Sequence, residues 1–167
     1  MSIHPAETVV LETTKGDIEI ELNRAKAPVT VDNFVKYVKE GFFDSTIFHR
    51  VISGFMIQGG GFATDGTQKR TRQPIRLESK NGLKNTAGTI AMARTNDPDS
   101  ATSQFFINLI DNSFLNASPS NQGYAVFGSV AAGLENVKAI AAVKTGTRGS
   151  HRDWPKEDIL IKRAYMK

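Results

Sequence analysis

The stretch from residue 48 to residue 61, FHRVISGFMIQGGG, constrains the fold of this chain more than any other. A His-Arg pair lies within an apolar run, a Gln follows an apolar triplet, and three glycines close the segment. The pattern predicts two strands joined at Ser53-Gly54, because side chains alternate between the two faces of a strand. That alternation assigns two faces to the first strand, with Phe48, Arg50 and Ile52 on one and His49 and Val51 on the other.

The second predicted strand would place Met56 and Gln58 on one face and Phe55 and Ile57 on the other. A guanidinium, a thioether and a carboxamide would therefore converge on one wall of the hairpin, with an aromatic ring beside them. A different interpretation is a buried hairpin in which Arg50 forms a salt bridge, since buried charges are usually paired. The hairpin alone leaves both interpretations open.

Short apolar segments separated by turns make up much of the remaining chain. They predict strands at 9–13, 17–22, 88–94, 104–108, 124–130 and 159–165. In the strand at 17–22 the alternation is strict, so Ile18, Ile20 and Leu22 should point inward. Aromatic residues should lie on both faces of the strand at 104–108.

Two segments have the periodicity of amphipathic helices, one early and one late in the chain. The apolar faces are Val31, Phe34, Val35 and Val38 in the first, and Leu134, Val137, Ile140 and Ala141 in the second. Pro28 suits the first turn of the early helix, and Gly41 suits its end. Residues 62–86 form a long irregular segment, which in a compact domain is usually functional or a surface insertion.

About eight short strands and two helices in 167 residues predict one mainly β domain spanning residues 1–167, built as a closed barrel or a sandwich. We favour the barrel because closure leaves no exposed strand edges. The two amphipathic helices would then cover the open ends of the barrel.

The composition excludes several kinds of chemistry. The chain has no cysteine, which excludes disulfides, thiolate catalysis and cysteine-bound zinc, and which fits a cytoplasmic protein. No apolar run approaches the roughly 18 residues that span a bilayer, and residues 1–17 show no signal peptide, so we expect no membrane association. His4, His49 and His151 are far apart in sequence, and Asp97 and Asp99 fit a turn better than a calcium loop. We therefore expect no metal and no cofactor.

The net charge of +4 is mild, and the basic residues fall in two clusters. These are Lys69, Arg70, Arg72 and Arg76, and Arg148, His151, Arg152 and Lys156. Both clusters lie in loop-like sequence without the interleaved aromatics of a nucleic-acid-binding surface. We interpret them as solvated loop charge and expect no nucleic-acid partner.

The functional groups that remain are apolar or amide side chains with one permanent cation. This set is poorly suited to breaking covalent bonds, but it suits rotation about an Xaa-Pro amide. When that bond twists, the prolyl nitrogen becomes pyramidal and gains a lone pair. A donor aimed at this lone pair binds the twisted form better than either planar form, with no acid, base or nucleophile required.

Five blocks of the sequence also resemble the signature blocks of the cyclophilins, in order and over nearly the whole chain. They are FHRVI at 48–52, GFMIQGG at 54–60, AMAR at 91–94, SQFFI at 103–107 and VFG at 126–128. The resemblance is to the bacterial-type single-domain branch. It implies a peptidyl-prolyl cis-trans isomerase built as a closed eight-stranded antiparallel β-barrel capped by two α-helices.

The resemblance also implies roles for individual residues. Arg50 matches the catalytic guanidinium that faces the prolyl nitrogen, and Gln58 matches the residue that hydrogen-bonds a substrate carbonyl. The proline pocket would consist of Phe55, Met56, Phe106 and Leu115. Residues lining the groove would be Ala93, Arg94 and Gln104, with Phe114 and Tyr124 at the pocket rim. His49 matches a structural residue rather than a catalytic one.

Two positions differ from the pattern of many eukaryotic cyclophilins. Phe114 stands where they have Trp, and Tyr124 where they have His. The departures imply weak binding of cyclosporin, the cyclic peptide that this family is known to bind, while the residues for isomerisation are intact.

Two classes of function are compatible with the sequence. One is an isomerase acting on proline-containing peptides and unfolded segments, which would assist protein folding as a monomer. The other is a module that binds proline motifs without turnover. Arg50 favours the enzyme, because a binding module needs the pocket but not a donor aimed at the prolyl nitrogen. Nucleic-acid binding through the basic loops is a third and weaker hypothesis.

Overall fold

The computed structural model describes residues 7–167, which form ten strands and two α-helices. The strands are β1 (Glu7–Thr13), β2 (Gly16–Leu22), β3 (Thr46–Ile52), β4 (Met56–Ala63), β5 (Thr89–Met92), β6 (Phe105–Asn108), β7 (Val126–Ala132), β8 (Thr145–Arg148), β9 (His151–Pro155) and β10 (Leu160–Met166). The helices are α1 (Pro28–Lys39) and α2 (Leu134–Ala141), and Ser113–Leu115 form a short 3-10 turn. His4 and the remainder of residues 1–6 lie outside the described part of the chain.

Eight of the strands close into an antiparallel barrel in the order β1-β10-β3-β4-β6-β5-β7-β2. The first and last strands are neighbours, with Val9 opposite Met166, and this pairing closes the barrel. The predicted mainly β fold with a closed eight-stranded barrel and two helices is therefore confirmed. No helix within residues 7–167 is long and apolar enough to cross a membrane.

The barrel interior and the two helices share one hydrophobic core. The inward residues of β2 are fully or almost fully buried, as the alternation predicts. From α1, Phe34 packs against the rings of Phe43, Phe105 and Phe127 at centroid distances of 5.1–5.7 Å. Val137 of α2 is also completely buried in this core. Aromatic packing of this kind fixes α1 on the barrel through buried apolar area and ring geometry.

The irregular segment between β4 and β5 runs from residue 64 to residue 88. It is tied to the start of α1 by the carboxylate of Glu78, which accepts hydrogen bonds from N of Val29 and from N and Oγ1 of Thr30. No side chain adjacent to Pro28 caps this helix, so the cap is supplied from 48 residues away. A negative group at a helix N-terminus is also favoured by the helix dipole.

Strands β8 and β9 form a separate two-stranded sheet that is not among the predicted strands. Their burial patterns show no alternation, and only Trp154 and Pro155 are buried. The second basic cluster therefore lies in and around a hairpin rather than in a loop. The hairpin packs beside β3, where Trp154 joins Ile47 and Phe62 in a small apolar cluster.

Candidate active site

The hairpin of β3 and β4 places the guanidinium of Arg50 beside the carboxamide of Gln58. The two residues are opposite each other in the ladder, and Nη1 of Arg50 donates to Oε1 of Gln58 at 3.4 Å. Arg50 is exposed, and no carboxylate within residues 7–167 forms an ion pair with it. The interpretation of a buried, salt-bridged arginine is therefore wrong.

The ladder between β3 and β4 is irregular around residues 48–50. Phe48 packs in the barrel core together with Val51, whereas His49 contacts the ring of Phe62 outside that core. The predicted faces of the first strand are thus wrong in two respects. Phe48 does not share a face with Arg50, and His49 does not share one with Val51. A bulge breaks the period of two on which the prediction rested.

In the second strand, Met56 and Gln58 line one cavity while Ile57 points into the barrel core, as predicted. Phe55 is the exception, because it lines the same cavity as Met56. Phe55 lies in the turn before β4, where its N–H donates to the carbonyl of Ile52. Strand alternation therefore does not apply to it.

One small cavity of about 130 Å³ lies on this outer face of the barrel. It is lined by Arg50, Phe55, Met56, Gln58, Ala93, Arg94, Phe106, Leu115 and Tyr124, which are nine of the eleven predicted site residues. Met56, Phe106 and Leu115 form its buried apolar part. The lining contains no carboxylate, so the cavity combines an apolar floor with a cationic donor at its edge.

Gln104 lies outside the cavity but determines how Gln58 is oriented. Nε2 of Gln58 donates to Oε1 of Gln104 at 2.9 Å, which leaves the oxygen of Gln58 facing Arg50. Gly61 makes room for the Gln104 side chain, because a Cβ there would lie 2.5 Å from its Cγ. The absence of a side chain at Gly61 therefore serves the polar wall of the site.

Arg94 forms a wall of the cavity while its guanidinium is held by backbone carbonyls. Nε and Nη2 donate to the carbonyl of Gly123 at 3.2 and 2.6 Å, and Nη1 donates to that of Thr95. Its Cζ lies 4.5 Å from the ring centre of Tyr124. Tyr124 in turn makes an edge-to-face contact with Phe106. The Arg94 side chain thus fixes Tyr124 against the cavity floor.

Phe114 lies at the rim and does not line the cavity. It is 64% exposed and stacks on Phe55 with the ring centroids 5.7 Å apart. A large apolar side chain with this exposure extends the apolar surface outward from the cavity.

His49 is adjacent to Arg50 in sequence but is directed away from the cavity. It is buried against Phe62 and Trp154, and its Nδ1 has no hydrogen-bond partner within the described residues. Burial lowers the pKa of His49 to about 4, with smaller contributions from the charges of His151 and Arg50. A neutral imidazole in this position is a packing group, which agrees with the structural role expected of His49.

Several residues around the cavity were not predicted. Ala91 and Val126 complete its apolar cluster, and Leu83 of the irregular segment packs against it. Three buried asparagines, Asn85, Asn108 and Asn112, lie behind it. The sequence does not predict that these asparagines are buried, since asparagines are mostly found at protein surfaces.

Comparison with known proteins gives a consistent result. Residues 8–166 match the family described as cyclophilin type peptidyl-prolyl cis-trans isomerase/CLD. A peptidyl-prolyl cis-trans isomerase of Acinetobacter baylyi is 57% identical over 157 residues, covering 93% of this chain and 84% of that protein. Peptidyl-prolyl cis-trans isomerase B of Escherichia coli is 55% identical, covering 92% of this chain and 95% of that protein.

Solved structures agree with the sequence relatives. A crystal structure of a cyclophilin type peptidyl-prolyl cis-trans isomerase from Cryptosporidium parvum superposes with a TM-score of 0.79 at 27% identity, covering 98% of both chains. A second structure of that protein, determined in the presence of the dipeptide Ala-Pro, gives a TM-score of 0.78 at 27% identity and covers 96% of this chain and 98% of that one.

Proposed function

Because this chain belongs to the cyclophilin type peptidyl-prolyl cis-trans isomerases and is an enzyme of that class, we propose that its cavity binds the proline ring while Arg50 donates to the prolyl nitrogen. The observation that supports this assignment is the position of the Arg50 guanidinium. It lies at the edge of an apolar cavity, it is exposed, and within residues 7–167 no acidic side chain neutralises it.

The barrier to rotation about a peptide bond is about 18–20 kcal/mol and arises from amide resonance. Twisting removes the resonance and leaves a lone pair on nitrogen, which is the only new hydrogen-bond acceptor on the substrate. A guanidinium placed beside the ring can donate to that lone pair in the twisted state alone. Its contribution is therefore larger in the transition state than in either planar isomer, which is the condition for catalysis.

Gln58 complements Arg50 in this mechanism by holding a carbonyl group of the substrate. Its Oε1 faces Arg50 and its Nε2 is engaged by Gln104 in the free enzyme. A substrate carbonyl would compete for that N–H, so binding would exchange one neutral hydrogen bond for another. Such an exchange orients the substrate at little net cost in free energy.

The substrates are proline-containing peptides and unfolded segments that can enter an open groove, and the cellular role that follows is assistance to protein folding. The cavity of about 130 Å³ has room for a small ring, and the aromatic surface of Phe55 and Phe114 continues from it. The cysteine-free sequence is compatible with a cytoplasmic location. Nothing in the cavity calls for a metal or cofactor.

The role of Arg50 can be tested by measuring both the isomerisation rate and the affinity for the peptide. Exchange NMR on a short Xaa-Pro peptide gives both quantities for the wild type, Arg50→Ala and Arg50→Lys. We expect Arg50→Ala to lower the isomerisation rate by about 100-fold or more, the loss typical when a transition-state hydrogen bond is removed. Peptide affinity should change far less.

Arg50→Lys should restore little activity, because a lysine lacks the planar fork of the guanidinium. Lys162→Ala, an exposed cation on β10, is the matched control and should behave as wild type. An Arg50→Ala enzyme with turnover near that of the wild type would exclude the mechanism. Equal losses of binding and turnover would instead assign Arg50 to ground-state binding.

A further inference from the structure

Three asparagine side chains are completely buried behind the proline pocket and connected to one another. Asn85 is 1% exposed, Asn108 is 0% and Asn112 is 2%. Buried side-chain amides cost free energy unless their donors and acceptors are paired. Within residues 7–167, every buried side-chain nitrogen and oxygen of these three asparagines has a hydrogen-bond partner.

The three amides form a chain in which each donates to the next. Nδ2 of Asn112 donates to Oδ1 of Asn108 at 2.9 Å, and Nδ2 of Asn108 donates to Oδ1 of Asn85 at 3.0 Å. The backbone adds a second connection, since N of Asn112 donates to the carbonyl of Asn85 at 2.8 Å. Hydrogen bonds arranged in series in a buried environment strengthen one another.

Both ends of the chain reach backbone carbonyls of residues that line the pocket. Nδ2 of Asn112 also donates to the carbonyl of Phe55 at 3.0 Å. At the other end, Nδ2 of Asn85 donates to the carbonyl of Leu115 at 3.2 Å and to that of Tyr124 at 3.4 Å.

These carbonyls belong to three separate parts of the fold. Phe55 precedes β4, Leu115 ends the 3-10 turn, and Tyr124 precedes β7. None of the three lies within a strand of the barrel. Two of the carbonyls accept one backbone hydrogen bond each, Phe55 from N of Leu109 and Leu115 from N of Tyr124, and the amide chain adds a second connection to each. Asn108, by contrast, is the last residue of β6 and is paired with Met56 of β4, so the centre of the chain is anchored to the barrel.

We propose that Asn85, Asn108 and Asn112 are positioning residues that set the width of the proline pocket. This inference rests on the proposed function, since it assumes that the cavity receives the proline ring. The amide chain holds the walls formed by Phe55, Leu115 and Tyr124 at fixed separations from the pocket floor at Met56. Because Asn85 lies in the irregular segment 64–88, that segment would also contribute to the active site.

The proposal is tested by replacing the asparagines with alanine and comparing substrates that differ in ring size. Paired peptides would carry proline or its six-membered homologue, pipecolic acid, after the same residue. In the wild type we expect a marked preference for proline. In Asn112→Ala and Asn108→Ala we expect kcat/KM for the prolyl peptide to fall about five- to tenfold through KM, because a displaced wall weakens substrate binding by about as much as one hydrogen bond contributes.

The preference for proline over pipecolic acid should fall in the same variants, because freed walls admit a larger ring. The double variant should lose little more than either single variant, since coupled residues are not additive. If an alanine variant does not fold, as judged by near-UV circular dichroism, Asn112→Ser keeps one donor and takes its place.

Asn33→Ala is the matched control. Asn33 is also buried, and its Nδ2 donates to the carbonyl of Thr102, which does not line the cavity. It should lower stability without changing the ring preference. Phe106→Ala, which removes part of the pocket floor, tests the pocket assignment separately from the positioning role of the asparagines.

Network variants with the wild-type ring preference, alongside a Phe106→Ala enzyme of low activity, would overturn the positioning role and leave the proposed function intact. Activity lost only in proportion to the folded fraction would overturn it as well, because that result describes a purely structural role. A fully active Phe106→Ala enzyme would overturn the pocket assignment and this inference with it.

Discussion

The side chains of Gln58 and Gln104 are joined by a hydrogen bond of 2.9 Å, in which Nε2 of Gln58 is the donor. Because the nitrogen is occupied in this way, the oxygen of Gln58 faces Arg50. The orientation of Gln58, for which we propose a role in holding the substrate, is therefore set by a residue that does not line the cavity. The space that Gln104 needs depends in turn on the missing side chain of Gly61.

Gly61→Ala should disturb this relationship without changing a site residue. The new Cβ would lie 2.5 Å from Cγ of Gln104, so the Gln104 side chain must move. Losing a hydrogen bond worth about 0.5–1.5 kcal/mol should lower kcat/KM for an Xaa-Pro peptide by about two- to tenfold. Gly146→Ala is the control, since its Cβ would approach only the flexible end of Lys156. Unchanged kcat/KM in Gly61→Ala would show that Gln104 does not orient Gln58.

The isomerisation rate should be nearly independent of pH between about 6 and 9, because the proposed mechanism involves no proton transfer. Guanidinium and carboxamide groups do not change protonation state in this range. His49, whose pKa is lowered to about 4, stays neutral throughout it. The measurement is kcat/KM against pH on enzyme confirmed to be folded at each point. A bell-shaped profile would indicate general acid–base catalysis instead.

Stability, unlike activity, should depend on pH through His49. Its pKa is about 4 in the folded protein and about 6.5 in an unfolded chain, so the unfolded state binds more protons between these values. The contribution is fully present above pH 6.5 and is lost as the pH falls toward 4. Between pH 7 and pH 5 the linkage relation gives a loss of about 2 kcal/mol in the free energy of unfolding from this group.

Urea unfolding of the wild type and His49→Phe at both pH values measures that loss. A phenyl ring fits among Phe62 and Trp154 and cannot take up a proton. Since Nδ1 of His49 has no partner within residues 7–167, the substitution breaks no hydrogen bond there. His49→Phe should therefore lose about 2 kcal/mol less than the wild type on acidification. Equal losses in the two proteins would contradict the assignment.

Cyclosporin should bind this enzyme weakly, and Phe114→Trp should tighten the binding. Phe114 stacks on Phe55 at the rim but offers no hydrogen-bond donor, whereas an indole has an N–H. A missing donor to a buried acceptor costs about 1–3 kcal/mol, or one to two orders of magnitude in affinity. Turnover of small peptides should change little. Calorimetric titration of both proteins measures the effect, and tight binding to the wild type would count against it.

Tyr124 limits how far Phe114→Trp can restore affinity. Its ring is held between Arg94 and Phe106, so it cannot easily move away from a bulky ligand. Full restoration of binding is therefore not expected from the single substitution, and Phe114→Tyr serves as a control that adds a hydroxyl rather than an indole.

Strand alternation predicted β2 well, since Ile18, Ile20 and Leu22 are buried and the residues between them are not. It failed at residues 48–50, where a bulge turns Phe48 into the core while Arg50 remains outside. A bulge depends on how the partner strand is paired, and the sequence of one strand does not contain that information. The position of Arg50 was nevertheless predicted, because the family resemblance names it directly.

The hairpin of β8 and β9 and the asparagine chain were missed for related reasons. Polar, basic strands such as Thr145–Arg148 have no apolar face to reveal their period. Asn85, Asn108 and Asn112 lie up to 27 positions apart, and a buried amide is identified only when its partners are known. Both features are set by tertiary contacts, whereas most of the pocket residues, among them Phe55, Met56 and Phe106, lie in contiguous motifs.

The pairing of β1 with β10 has a consequence for how the chain is made. β1 can pair with β2 as soon as both have been synthesised, but its other edge is complementary only to residues 160–166. At translation rates of about 5–20 residues per second, that edge waits on the order of 10 s for its partner. Open edges attract other strands, so this interval is when the nascent chain is most prone to misassembly. A chain that stopped before Leu160 would keep two such edges, on β1 and on β3, and would remain an open sheet.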